Sequence, residues 1–170
     1  AVRQEHLLHY VISGKGTFTA DGKTTELGAH DAFLIMPEET TVYRADAKEP
    51  WSYVWAAFDG IRAYECLEHA GFSAEQRVGH FEQEEALTAC VDAMLAAHQL
   101  TYANDLVRQS QLALFLAGMI REYQTSHNTR QQFNDYHRQE YADYAAAYIE
   151  QNYHKDISVN DMCSYIGITR

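Results

Sequence analysis

From Leu7 to Phe58 the apolar residues fall in short runs rich in Val, Ile, Thr and aromatic side chains, each cut off by turn formers. That is the pattern of β-strands joined by tight connections. Leu8–Ile12 leads into Gly14-Lys15-Gly16, Thr17–Thr19 follows, and Asp21-Gly22 supplies two residues that tolerate the positive φ of a type I′ hairpin turn. Thr24–Leu27 returns the hairpin, Ala32–Met36 runs to Pro37, and Val42–Arg44 and Trp51–Phe58 complete the series. Evenly spaced short strands favour a barrel or sandwich over a parallel sheet. Along the last strand, alternation places Trp51, Tyr53 and Trp55 on one face and Ser52, Val54 and Ala56 on the other.

After Phe58 the period changes to that of helices. Ile61, Tyr64, Leu67 and Glu68 have helical spacing, and Gly71 supplies the stop expected just past a helix end. A second helix is predicted over 83–99, with Leu87, Val91, Met94 and Leu95 as its apolar stripe, and a third over 104–124. The short connection from Leu100 to Ala103 implies that these two are antiparallel. On the third helix Leu112, Leu114, Phe115, Leu116 and Met119 nearly encircle the axis, an apolar surface wide enough to serve both a sheet and a second copy of the chain. Leu106, Leu112, Phe115, Leu116 and Met119 are therefore the expected dimerisation residues. Ser126–Phe133 is polar and reads as a linker, after which Tyr141, Tyr144, Ala145, Tyr148 and Ile149 mark another amphipathic helix.

Composition narrows the class. A chain of 170 residues, 46% hydrophobic, can fill one core and carry a helical extension. It has no apolar run long enough to cross a bilayer and no basic start followed by an apolar block and cleavage site, so a soluble, cytoplasmic protein is expected. Cys66, Cys90 and Cys163 are odd in number and far apart, unlike a disulfide framework or zinc cluster, and read as reduced core residues. A net charge of −11 argues against these residues gripping a phosphate backbone unaided. The chain starts at Ala1 and stops at Arg170 in mid-pattern, which reads as a piece of a longer protein.

Two stretches carry a family resemblance. One comprises Tyr10–Gly16, Leu34–Pro37, Tyr43, Pro50-Trp51 and Trp55–Phe58. The other comprises Tyr148–Tyr153, Ile157–Cys163 and Gly167–Arg170. Together they resemble the AraC family of transcription regulators, with its cupin-like sensor domain and the opening of its helix-turn-helix domain. The residues agree with the second half physically: Ser158 is a natural N-cap with Asp161 three residues on, Gly167 suits a turn and Thr169 a further cap, with Arg170 last. Cys163 stands where the family usually has a small Ala, and His30 where it usually has Gly. The resemblance implies an α+β fold: a small cupin-like β-barrel (double-stranded β-helix) over 1–58, an antiparallel helix pair over 60–126, a linker over 127–138 and an incomplete all-α helix-turn-helix domain over 139–170. It further implies a homodimer contact through the helix pair, operator DNA as partner of the full-length protein, and a carbohydrate effector, since the sensor stretch looks most like regulators of oligosaccharide uptake and metabolism.

A metal-dependent cupin enzyme converges a His-x-His pair, a Glu and a further His on one ion. Here His6 and His9 are two residues apart in spacing, not one, and a flat strand cannot point both inward; Thr41 stands where another ligand is expected. No cofactor or metal is expected. Ser13, Ser52 and Ser110 lack a nucleophile elbow, and Gly14-Lys15-Gly16 is a turn rather than a phosphate loop. The positive signal is aromatic: sugar sites stack a ring on the apolar face of a pyranose and satisfy its hydroxyls with polar groups. By resemblance the ligand positions correspond to Trp55, Tyr53 and Tyr43, with Ser13 at the end of the first strand, and His9 shares the strand parity of Ser13. The alternative is that these rings simply fill the interior, leaving a pure dimerisation module.

Overall fold

The computed structural model describes residues 4–127 and 130–166. The chain divides into two compact units, Ala1–His127 and Asn128–Arg170. The first contains β1 (His6–Ser13), β2 (Gly16–Ala20), β3 (Lys23–Leu27), β4 (Asp31–Ile35), β5 (Val42–Ala45), β6 (Ser52–Phe58), α1 (Ala63–His69), β7 (Val78–His80), α2 (Glu84–Ala96) and α3 (Tyr102–His127). The second contains α4 (Arg130–Asn152) and α5 (Val159–Ile166).

The mixed α+β class holds, with one correction: among the described residues the strands do not close into a barrel. They form two antiparallel sheets, β6-β1-β4-β7 and β3-β2-β5. The Asp46 carboxylate accepts N–H bonds from Lys48 (2.8 Å) and Glu49 (3.0 Å), so the chain turns sharply after β5 and delivers β6 to the other sheet. The Asp21-Gly22 turn has φ of +49° and +74°, the double positive φ that a type I′ hairpin requires. β7 has no counterpart among the strands read from sequence; Val78-Gly79-His80 is too short and carries too little apolar signal to be seen without its partner β4.

The strand of greatest consequence is β1. Its even residues Leu8 and Tyr10 join Ala32 and Leu34 of β4 and Ala56 and Phe58 of β6 in a core against the helices, completed by Leu67, Phe72, Phe81, Leu87, Val91, Phe115, Leu116 and Met119. Odd residues Val11 and Phe33 face the other way and pack with Phe18, Ala20, Leu27 and Trp51 between the two sheets. This is the two-sided burial that period-2 alternation permits only in an interior strand.

The helices are held to that core by specific ends. α1 stops at Ala70, and Gly71 adopts φ +85° while donating its N–H to the carbonyl of Glu68; Phe72 donates to that of Leu67. A Cβ on Gly71 would meet the Tyr123 ring at 2.2 Å, so both the backbone angle and the space require glycine. The Glu122 carboxylate of α3 accepts the N–H groups of Glu82 and Gln83 just ahead of α2, while Arg108 near the start of α3 donates to the carbonyls of Ala97 and Gln99 just after α2. These two clamps make α2 and α3 antiparallel.

Three of the five expected dimerisation residues are corrected by this packing. Phe115, Leu116 and Met119 are buried in the core beneath the sheet, and Leu112 packs half-buried against it. The apolar ring around α3 is wide because the helix faces both the sheet and α1–α2. Leu106 alone of the five is well exposed, at 48%, alongside Val107 and Leu114.

In the second unit α4 begins at Arg130, where a polar linker was expected; Gln and Arg are good helix formers, and polarity reports solvation rather than backbone conformation. Ser158 and Asp161 cap α5 reciprocally: Ser158 N–H and Oγ donate to Asp161 Oδ2 (2.9 and 2.6 Å), and Asp161 N–H donates to Ser158 Oγ (3.2 Å). These bonds hold the Asp161 carboxyl below its ordinary value. Gly167, Thr169 and Arg170 lie outside the described residues.

Truncating Met119 to Ala should cost about 2–5 kcal/mol in chemical denaturation, the range for a large core side chain, whereas Leu106→Ala should change stability by no more than about 0.5 kcal/mol. Equal effects at the two positions would contradict the division of α3 into a core face and a free face.

Candidate functional site

The ladder registers bring four of the five expected ligand positions together. β1 and β6 pair with His9 opposite Trp55 and Val11 opposite Tyr53. His9 also lies opposite Phe33 of β4. On the facing sheet, Tyr43 of β5 sits opposite Phe18 of β2. Since side chains of paired residues leave a sheet on the same face, His9, Tyr53, Trp55 and Phe33 all point between the sheets, where Tyr43 meets them.

His9 is the hub. Its imidazole stacks on Phe33 at 4.4 Å and 6°, and its centroid lies 5.3 Å from both Tyr43 and Tyr53 and 6.3 Å from Trp55. Burial falls off from this hub to the surface. His9 is 2% exposed and Tyr53 half-buried, while Tyr43 and Trp55 are 42% and 49% exposed at the rim. The inner end is sealed: Phe33 lies 4.7 Å from Phe18 and stacks on Trp51 at 5.7 Å, and Trp51 in turn meets Tyr53 edge-on at 6.0 Å. Trp51 fits there because Gly16 has no side chain; a Cβ at that position would be 2.5 Å from the indole.

Phe18, Phe33 and Trp51 fill the interior, and the cluster reaches the surface at Tyr43 and Trp55, with Tyr53 half-buried between them and His9 buried beneath. Trp51 shares the parity of Tyr53 and Trp55, and Phe33 is an apolar strand residue; sequence gave no sign that both would back the site, because that depends on which strands become neighbours.

Ser13 is not brought to this cluster. A bulge between Val11 and Ser13 shifts the register so that Ser13 opposes Ser52 at an exposed position. One inserted residue reverses the alternation beyond it, and the parity that links Ser13 to His9 on a regular strand is lost.

Where the cluster reaches the surface it presents the Trp55 indole and the Tyr43 phenol, both uncharged. Burial, together with a hydrogen bond to Tyr43, raises the Tyr53 hydroxyl above its ordinary range. The thiols of Cys66 and Cys90 are pushed up by burial and pack against the helical core, away from this cluster. His6 and His9 leave β1 on opposite faces; His6 is buried against Phe58, and that desolvation lowers its pKa. Among the described residues no three His, Cys, Asp or Glu side chains are placed to share a metal ion.

Among the described residues, hollows of about 750 and 670 Å³ lie around Lys15 and Arg44 and around Lys23 and Arg77. Lys15 and Arg77 there are already paired, with Glu49 at 2.7 Å and Glu39 at 3.0 Å. A smaller hollow, about 290 Å³, includes Trp55 and is bounded by β6, α2 and α3.

On the helix side of the first sheet a polar cluster surrounds Tyr10. Its hydroxyl donates to the Phe81 carbonyl (2.8 Å) and lies 3.0 Å from His30 Nδ1. Burial and the carboxylates of Glu84, Glu122, Glu82 and Asp31 hold that phenol far above its usual range. His30 has φ +69°, the conformation glycine takes without strain. Nearby, His80 bonds Asp31 (2.8 Å) and Glu82 (3.2 Å).

Residues 1–116 match the family of AraC-like ligand binding domains, and the chain belongs to that family. It is 26% identical over 170 residues to the Msm operon regulatory protein of Streptococcus mutans serotype c, covering 99% of this chain and 60% of that protein. The raffinose operon transcriptional regulatory protein of Pediococcus pentosaceus is 24% identical over 177 residues, with 99% and 61% covered. The lactose operon transcription activator of Staphylococcus xylosus is 23% identical over 171 residues, with 99% and 60% covered. The chain spans about 60% of the length of these relatives.

The hydrogen bond from His80 to Asp31, and secondarily that to Glu82, raises the His80 pKa above its ordinary 6.5. Protonated His80 is favoured in the folded state, so its stabilisation is complete below pH 6.5 and disappears as pH rises through the raised value. Denaturation of the wild type and His80→Ala across pH 5 to 9 should show a stability gap that closes on the alkaline side. A gap that widens there would mean that the pairing does not act through the charged imidazole.

Proposed function

We propose that this chain is the effector-sensing part of a transcription regulator that controls a carbohydrate operon, and that it binds a small sugar in the mouth formed by His9, Tyr43, Tyr53 and Trp55. The observation that carries this reading is the convergence of those four side chains from three strands of two sheets, graded from a buried imidazole to a half-exposed indole. An exposed tryptophan offers a flat apolar surface to the C–H face of a pyranose, and the two phenols supply hydrogen bonds to hydroxyls that burial takes from water. The names of the three relatives, each a regulator of a named operon and two of them of raffinose or lactose operons, support the same class of effector.

A regulator is favoured over a cupin enzyme because His6 and His9, the histidines closest in sequence on β1, face opposite sides of the sheet and cannot ligate one ion. The free face of α3, with Leu106, Val107 and Leu114, is the surface proposed to meet a second copy. The second unit, with its capped α5, is proposed as the start of the helix-turn-helix module through which the longer protein reads operator DNA in the cytoplasm. Sugar controls that reading only by binding one arrangement of the dimer more tightly than another.

Calorimetric titration of the chain with glucose, galactose, lactose and raffinose is the test. Saturable binding to at least one sugar is expected, weakened at least tenfold in Trp55→Ala, equivalent to about 1.4 kcal/mol. A folded wild type that binds none of them, or binding untouched by Trp55→Ala, would overturn the proposal.

A further inference from the structure

Trp55 belongs to two neighbouring features at once. It forms the outer wall of the aromatic mouth, 6.3 Å from His9, and it also lines the 290 Å³ hollow, together with Ala57 of β6, Leu95 of α2, and Arg108, Gln109 and Leu112 of α3. β6 is the edge strand of its sheet, so no further strand separates Trp55 from this hollow. The hollow has the composition of a sugar subsite: aliphatic and indole surface on most sides, with an amide and a guanidinium on one. Arg108 is fixed in place by Asp105 and by the carbonyls of Ala97 and Gln99, and Gln109 donates to Asp105 at 2.8 Å. Two polar groups are thereby pre-oriented on a rigid helix, which lowers the entropy lost on binding.

We infer that this hollow is a second saccharide subsite, and that the effector is an oligosaccharide whose first ring lies in the mouth of His9, Tyr43 and Tyr53 while the next ring passes Trp55 and lies against Gln109. The volume, near the lower end of the roughly 300–1,000 Å³ usual for small-ligand pockets, suits one further ring rather than a long chain. The inference rests on the carbohydrate reading above and adds to it the size of the effector and a point of regulation. A ring in this subsite touches α2 and α3 directly, through Leu95, Gln109 and Leu112, so occupancy there bears on the helix pair; a monosaccharide held in the mouth alone makes no such contact.

The test compares galactose with lactose and raffinose, titrated into the wild type, Gln109→Ala and Ala57→Leu. Both positions are exposed, so neither change threatens the fold, and galactose binding reports an intact mouth. Expected is tighter binding of lactose or raffinose than of galactose by the wild type, an advantage reduced about tenfold by Ala57→Leu, which fills the hollow, and several-fold by Gln109→Ala, which removes a hydrogen bond, with galactose affinity unchanged. Larger sugars that bind no tighter than galactose, or an advantage that survives both substitutions, would overturn the second subsite and leave the mouth as the sugar site. Absence of binding by all three sugars would overturn both.

Discussion

The architecture depends on β1 being buried on both faces. An eight-residue strand between β4 and β6 must satisfy two environments, and it does so by alternation alone: Leu8 and Tyr10 go to the helices, and His9 and Val11 to the space between the sheets. Within the first unit, the helices and the second sheet take their places from these two faces. α1, α2 and α3 cover the first, while β2, β3 and β5 cover the second.

Two strands, β1 and β6, thereby border both the aromatic cluster and the helices. His9 touches the aromatic mouth and Tyr10, one residue on, reaches Phe81 and His30 at the entrance to α2. Beyond them Glu122 and Arg108 clamp the two ends of α2 to α3. The interior between the sheets is graded, with Phe18, Phe33 and Trp51 buried at one end and Tyr43 and Trp55 half-exposed at the other.

Much of the site was legible because period 2 is a local property. Residues at 51, 53 and 55 share a face whatever the strand pairs with, and the Asp21-Gly22 turn and the Ser158–Asp161 cap need only a few neighbouring residues to form. The reading failed where an inference crossed a discontinuity or asked what covers a face. The bulge after Val11 took Ser13 out of the cluster, and the helical core took Phe115, Leu116 and Met119 away from the surface expected to hold a partner. A wide apolar stripe looks the same in sequence whether the second covering is another copy or the chain's own α1 and α2.

The sequence by itself determined the element types through α3 apart from β7, the hairpin turn, the glycine stop after α1, the cap of α5 and the alternation that aims Tyr53 and Trp55 to one side, all set by dihedral preferences and spacing within a few residues. Only the tertiary structure decided that two sheets face each other without closing, that His9 is the hub of the mouth, that Phe33 and Trp51 seal it, and that α3 spends most of its apolar surface inside. Those outcomes rest on which distant strands and helices become neighbours, and that choice is made by the summed burial of the whole core rather than by any local stretch of chain.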